Sequence, residues 1–275
     1  MKVSIVTINY NNVEGLKRTL ASVAEQGYRD IEHIIIDGGS TDGSVDVIKE
    51  YVATNPNCDP FFKHTIKWVS ERDNGIYNAM NKGIKKATGA YIQILNSGDI
   101  LAAPDVVERM VAEIENAEYP ELLYGNMIKM DYTTGKILGK SREVEYSLRQ
   151  YYTSTMNHDC CFIRRDVYDN YGLYDENLKI VSDWKWFLQA IGLGNVKPIY
   201  VDIDVTIFDC SGISETNLEL RNKERRQILE EILPPAVLAD YDKYAFPMEQ
   251  YNRLRKNHLW GLTWFTERVL FKLKM

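Results

Sequence analysis

One aspartate stands where the most apolar stretch of the chain runs out. Tyr91-Ile92-Gln93-Ile94-Leu95 is a short run of aromatic and branched residues, and Asn96-Ser97-Gly98-Asp99 follows it. The run reads as a buried strand of a parallel sheet. In open α/β sheets ligands lie beyond the carboxyl ends of the strands. Asp99 is thus placed to hold a hard cation between the protein and phosphate oxygens. The competing reading makes Asp99 a cap for a helix entered near Pro104-Asp105.

Three earlier apolar runs end in the same way. Val3 to Ile8 empties into Asn9-Tyr10-Asn11-Asn12, and Ile31 to Ile36 into Asp37-Gly38-Gly39-Ser40-Thr41-Asp42-Gly43. Ile66 to Ser70 empties into Glu71-Arg72-Asp73-Asn74-Gly75. Helical spacing separates the runs: Val13, Leu16, Leu20 and Val23 share one face, and Ile76, Met80 and Ile84 another. Ser44 is positioned to cap a helix through Tyr51, and residues 53–64 read as irregular. This is a strand-helix alternation with a mostly parallel, Rossmann-like central sheet flanked by helices, an α/β fold. Its polar turns converge on one edge of the sheet, where a nucleotide would bind.

After Asp99 the rhythm changes. A helix is expected over Val106 to Ile114, a strand over Leu122 to Met130, and a hairpin turn at Thr133-Thr134-Gly135-Lys136. Cys160 to Ile163 and Val201 to Phe208 read as strands, and Ser182 to Ile191 as a helix with Trp184, Phe187, Leu188 and Ile191 inward. From Asn217 the chain becomes helical and charged, with Leu218 to Leu233 ending at Pro234-Pro235. The expected division is one domain over residues 1–215 and a helical C-terminal extension over 216–275.

Composition narrows the classes. The 275 residues are 45% hydrophobic and 26% charged, ordinary for a soluble globular protein. A net charge of -6 argues against a broad nucleic-acid surface. No apolar stretch approaches the ~20 residues of a membrane span, and the opening Met1-Lys2-Val3-Ser4-Ile5-Val6 is too short for a signal peptide. Cys58, Cys160, Cys161 and Cys210 form no disulfide framework. Cys160-Cys161 beside His158 fits metal-ligand spacings poorly. The expected compartment is the reducing cytoplasm. Residues 252–275 mix Arg253, Arg255, Lys256, Arg268 and Lys272 with Trp260, Trp264, Phe265 and Phe271. Such a helix either lies peripherally on an anionic membrane or packs back on the domain.

The turns are more specific together than apart. Val6-Thr7-Ile8-Asn9-Tyr10-Asn11, Ile36-Asp37-Gly38-Gly39-Ser40-Thr41-Asp42-Gly43, Glu71 to Gly83 and Leu95-Asn96-Ser97-Gly98-Asp99 occur in that order. The set resembles the family 2 glycosyltransferases of the GT-A fold over roughly residues 1–215, with the closest look to the bacterial branch that builds capsular, exopolysaccharide and O-antigen chains. The resemblance implies an inverting transfer of a sugar from a nucleotide-diphosphate donor, usually a UDP-sugar, with Mn²⁺ or Mg²⁺. The acceptor it implies is a hydroxyl of a growing polysaccharide or lipid-linked glycan. Thr7, Asn9 and Asp37 match positions lining the nucleotide base pocket, and Asp73 matches a further acid that contacts the base. Ser97 and Asp99 match the metal-binding DxD motif. That motif departs from the family in having one acid where two or three are usual, and Asp99 matches the acid that binds the metal.

Displacing a nucleoside diphosphate from an anomeric carbon needs stabilisation of the departing charge and a base for the attacking hydroxyl. Asp183, in Val181-Ser182-Asp183-Trp184, resembles the family's acidic position at the start of the acceptor-side helix and is the base chosen here. The bland reading lets Ser182 and Asp183 simply cap that helix, and a helix N-terminus weakens a carboxylate as base. His158 falls where relatives often carry an acceptor-side histidine and is read as an acceptor or phosphate contact, or as a structural core histidine. Ser211-Gly212-Ile213-Ser214 resembles the family's small-residue loop near the site. Arg72, beside Asp73, reads as a solvated charge or as a group that helps neutralise phosphate, and Lys82 as a solvated charge. Competing classes are a glycoside hydrolase with Asp99 and Asp183 as paired carboxylates and a non-catalytic nucleotide-sugar-binding module. A nucleotidyltransferase would be expected to open with a glycine-rich, basic loop, which Thr7-Ile8-Asn9-Tyr10-Asn11 is not.

Overall fold

The structure, a computed structural model, describes residues 1–54, 64–144, 147–210 and 217–256. The first half alternates as expected: β1 (Val3–Asn9), α1 (Val13–Ala24), β2 (Ile31–Asp37), α2 (Ser44–Thr54), β3 (Thr65–Ser70), α3 (Ile76–Lys86) and β4 (Tyr91–Ile94). There follow β5 (Ile100–Leu101), α4 (Val106–Asn116), β6 (Leu122–Asp131), β7 (Lys136–Lys140), α5 (Leu148–Thr153), β8 (Cys161–Arg164) and α6 (Arg165–Tyr171). The described chain ends with α7 (Ser182–Phe187), β9 (Pro198–Asp209), α8 (Leu218–Ile232) and α9 (Pro235–Lys256). Pro235 therefore opens a helix, where its missing N–H costs nothing.

All but one of the strands form a single path, β3-β2-β1-β4-β8-β6-β9-β5, with β7 hairpinned onto β6. β1, β2, β3 and β4 pair in parallel, as do β6 and β9, whereas β8 is antiparallel to both β4 and β6. β8 thus reverses the direction and restores it, so β1 to β4, β6 and β9 all point the same way. Their carboxyl ends share one edge, and the register puts Asn9, Asp37 and Ser70 side by side there.

Helices cover both faces, which is why β1 and β2 are buried at every position and read as apolar runs rather than alternating ones. Val6, Ile8, Ile34 and Ile36 face α3, α5, α6, α7 and α8, while Val3, Ile5 and Ile31 face the α4 side and Ile35 faces α1 and α2. A Cβ on Gly83 would stand 2.2 Å from Val6 Cγ1, so glycine is what lets α3 lie this close to β1. The helical extension is not separate from this core. Ile228 and Leu229 of α8 and Leu238 of α9 are buried in the same cluster as Val6 and Trp184.

No helix among the described residues is long and apolar enough to cross a membrane. Cys58, the Ser211–Ser214 loop and the basic, aromatic stretch after Lys256 lie outside the described residues, as does most of the irregular 53–64 segment.

Candidate active site

Hydrogen bonds stitch the strand-tip turns into one floor. Asn9 Nδ2 donates to Asp37 Oδ1 at 2.8 Å. Ser40 Oγ and Ser70 Oγ donate to the two Asp37 oxygens at 2.5 and 2.6 Å, and the Gly39 and Ser40 amides add to Oδ2. Burial pushes the Asp37 carboxyl up, but these donors outweigh it and hold it below its ordinary value. Asn11 closes the seam, accepting Thr41 N at 2.8 Å and giving its own N–H to Ser40 Oγ. Its φ of 48° suits asparagine, which tolerates the left-handed region.

Asp73 borders the same turns. A Cβ built on Gly38 would stand 3.1 Å from Tyr10 Cδ2 and 3.2 Å from Asp73 Oδ2. Glycine at 38 is thus what lets Tyr10 and Asp73 close in on this turn, and Tyr10 is itself 68% exposed. Lys82, expected as a solvated charge, instead holds Asp73 at 2.5 Å and Glu71 at 2.7 Å; its helix points it back over the turn. Arg72 is exposed as expected. Thr7 lies deeper, fully buried, with Oγ1 3.0 Å from His33 Nε2 beneath Asn9.

The fourth turn is tied to the first helix. Asn12 caps α1 through Gly15 N and donates to Ser97 O at 2.9 Å. Thr19 Oγ1 donates to Asp99 O at 2.7 Å and accepts Gly98 N at 3.0 Å. Asp99 does not cap a helix, for its Oδ1 accepts the amide of Asp209 at the end of β9 at 2.9 Å. Burial, then the charge of Asp159, push its carboxyl well above the ordinary value. Asp209 is in turn held by Arg18 Nη2 at 3.1 Å.

This is a place where negative charge is concentrated and a cation would relieve it. Among the described residues no three acidic, histidine or cysteine side chains form a ready cage. Asp99 fits a divalent ion whose remaining shell comes from diphosphate oxygens and water. Cys160 and Cys161 offer no ligands to such a site, because both thiols donate to Asn157 O at 3.2 and 3.1 Å.

Asp183 faces the same ground from the other side. Tyr77 OH donates to its Oδ1 at 2.9 Å and His158 Nδ1 to its Oδ2 at 3.2 Å. It does not cap α7: Val181 holds that position, and Ser182 Oγ is spent on the Asp175 amide. Burial raises the Asp183 carboxyl, but the His158 hydrogen bond and charge, with Tyr77, bring it below its usual value. Asn96 Nδ2 reaches His158 Nε2 at 3.1 Å, while Asn96 Oδ1 is buried without a partner. A half-turn of that amide would set Oδ1 opposite Nε2, so the pair accommodates the ring with one proton or two.

The helix carrying Asp183 is pinned through its two indoles. Trp184 Nε1 donates to Tyr151 O and Trp186 Nε1 to Gly172 O. Asn81 of α3 clamps Tyr174 through both its amide groups. Tyr77, Asp159, Thr19, Arg18 and Asp209 are the residues the sequence reading missed. Tyr77 lay inside a quoted motif, but the others are brought in by β8, α1 and β9 from distant parts of the chain. A hollow of about 380 Å³ between α4 and β9, lined by Arg109, Glu113 and Asp202, contains none of these residues.

A mostly parallel sheet flanked by helices, with polar turns along its carboxyl edge, is the GT-A architecture. The chain belongs to glycosyl transferase family 2, whose pattern matches residues 4–172. It is similar to an uncharacterized glycosyltransferase of Mycobacterium tuberculosis, 33% identical over 218 residues, covering 77% of this chain and 76% of that one. Its fold resembles S. aureus TarS 1-349 in complex with UDP-GlcNAc, with a TM-score of 0.63, 17% identity, and coverage of 88% of this chain and 70% of that one. The chain spans 42% of a longer TarS chain. It also resembles a Pyrobaculum calidifontis mannosyltransferase in complex with GDP-Man and Mn²⁺, with a TM-score of 0.61, 16% identity, and coverage of 99% of this chain and 80% of that one.

Proposed function

We propose that this transferase moves a sugar from a nucleotide-diphosphate donor, a UDP-sugar, to a hydroxyl of a growing polysaccharide or lipid-linked glycan, with inversion at the anomeric carbon. The observation that carries the reading is the placement of Asp183. It is a part-buried carboxylate held by Tyr77 and His158, linked through Asn96 to the turn that bears Asp99. A base here takes the proton of the attacking hydroxyl while the donor's phosphates lie by Asp99.

The donor base would sit in the hollow framed by Tyr10, Gly38 and Asp73, on the floor made by Asn9 and Asp37 with Thr7 beneath. Ser97 and Asp99 would hold Mn²⁺ or Mg²⁺, which when bound supplies charge stabilisation for the departing diphosphate. Asp37 already accepts five protein hydrogen bonds. Its part is therefore to shape the floor, and a base imide N–H bonds it only where one of those donors gives way.

Incubation with a panel of nucleotide sugars and Mn²⁺, with and without chelator, and measurement of released nucleoside diphosphate tests the reading. Asp183→Asn should keep UDP binding and lose about 10²–10⁴-fold in turnover, the usual worth of a general base. Equal turnover by that variant would eliminate Asp183 as base.

A further inference from the structure

The helical extension brings to this pocket a charge that the proposed chemistry does not use. Glu224 of α8 is buried, and its carboxylate accepts the amides of Lys179 and Ile180 at 2.8 and 3.0 Å. That bolts α8 onto the loop leading into Asp183. The next residue, Arg225, is consequently held with its Cζ 5.0 Å from the centre of the Trp184 ring, within electrostatic reach of Asp183.

Its guanidinium is half-buried and makes no hydrogen bond or ion pair with any described residue, and its Nε is enclosed without a partner. The oxygens of Asp183 already accept Tyr77 and His158. Burial, then the like charge of Arg221 one turn earlier, pull the Arg225 guanidinium down to about 10. Charged side chains are seldom withdrawn from water unless something pairs with them. Two arginines at i and i+4 also repel one another. An anion beside Trp184 would relieve both costs.

We propose that Arg225 binds a phosphate group carried by the acceptor. The proposal rests on the reading of Asp183 as base, because inversion puts the attacking hydroxyl and the leaving diphosphate on opposite faces of the sugar. The donor's phosphates lie by Asp99, so a cation beside Asp183 faces the acceptor. Lying over the Trp184 ring, the guanidinium still has its two Nη groups to offer, and planar N–H donors of this kind match the oxygens of a phosphate. The acceptor is then a sugar phosphate, either soluble or attached to a lipid.

The full-length protein is first titrated calorimetrically with UDP and Mn²⁺. With UDP saturating, it is then titrated with glucose 1-phosphate, with farnesyl phosphate in micelles and with glucuronate. The unaltered chain should bind at least one phosphate probe, and Arg225→Gln should weaken that binding about tenfold or more, the worth of a charge-assisted hydrogen bond. Arg225→Lys, which keeps the charge, should retain most of it, and all three proteins should bind UDP alike. Binding of glucose 1-phosphate identifies the phosphate itself as the ligand, and binding of farnesyl phosphate alone identifies a lipid headgroup. Failure of the UDP-loaded unaltered chain to bind either phosphate, unchanged phosphate binding in Arg225→Gln, binding of glucuronate in place of both phosphates, or loss of UDP binding in Arg225→Gln alone would overturn the proposal. Failure of the unaltered chain to bind UDP would instead refute the donor-site reading.

Discussion

His158 gives its Nδ1 proton to Asp183 Oδ2 at 3.2 Å, and its Nε2 meets Asn96 at 3.1 Å. One imidazole thereby ties Asp183 to the turn that bears Asp99, although 25 positions separate His158 from Asp183. Burial alone would discourage charge on this ring. The neighbouring Asp183, Asp159 and Asp99 reverse that and raise it above the usual histidine value.

His158→Gln should shift the pH dependence of turnover. The His158 hydrogen bond is a main reason the Asp183 carboxyl lies below its ordinary value. Without it the carboxyl rises and stays protonated to higher pH, so the acid limb of the rate profile moves up. An acid limb at the same pH would show that His158 does not tune the Asp183 carboxyl.

Asp99→Asn separates the cation from the fold. The folded carboxyl is raised well above 3.8, so its contribution to stability is present below that value and is lost as pH rises through the folded one. At neutral pH without metal the neutral asparagine, which still accepts the Asp209 amide, should melt no lower than the unaltered chain. UDP binding by the variant should no longer respond to Mn²⁺ or chelator. A Mn²⁺ response of the same size in both proteins would remove Asp99 from the metal site.

Gly38→Ala tests where the nucleotide base lies. The added methyl would press on Tyr10 and Asp73, at 3.1 and 3.2 Å, and must displace one of them. Overpacking of about 1–3 kcal/mol corresponds to roughly a tenfold weaker UDP affinity. The backbone at Gly38 is not in the left-handed region, so the fold itself should persist, as melting curves would show. Unchanged UDP affinity would place the base elsewhere.

Glu32 makes acid stability measurable apart from catalysis. It is 1% exposed and accepts Ser4 Oγ, Thr88 N, Thr88 Oγ1 and Lys67 Nζ, which tie β2 to β1, to β3 and to the turn before β4. Burial raises its carboxyl, but these donors carry it from 4.5 down to about 2. Its stabilisation is complete above 4.5 and is lost as pH falls through about 2. Glu32→Gln should cost about 2 kcal/mol at neutral pH, discounted for the exposed Lys67 end. The gap should close toward pH 2 in urea unfolding, and a constant gap would refute the assignment.

Much of the donor side could be read directly from the chain. Apolar runs ending in polar turns announced β1 to β4, and in β1, β2 and β4, covered on both faces, the apolar record is contiguous. Asp37, Asp73 and Asp99 were visible as acids at those ends, and Asp183 as an acid opening a helix. Other features left no local mark. Lys82 looked solvated, since nothing in its neighbourhood says that α3 folds it back onto Asp73. Glu32 sat as one charged residue within an apolar run, and only the packing of β1, β3 and the Thr88 turn supplies its donors.

The sequence alone determined the alternation of strands and helices, because burial periodicity and turn residues act within a few positions of one another. Tertiary structure alone decided which distant groups share a site. β8 enters antiparallel between β4 and β6, bringing His158 and Asp159 to the turn of Asp99. β9 carries Asp209 there from the far end of the domain, and α8 lays Arg225 over Trp184. Such meetings depend on strand order and helix docking, which arise from the burial of whole faces and so leave no short-range pattern to read.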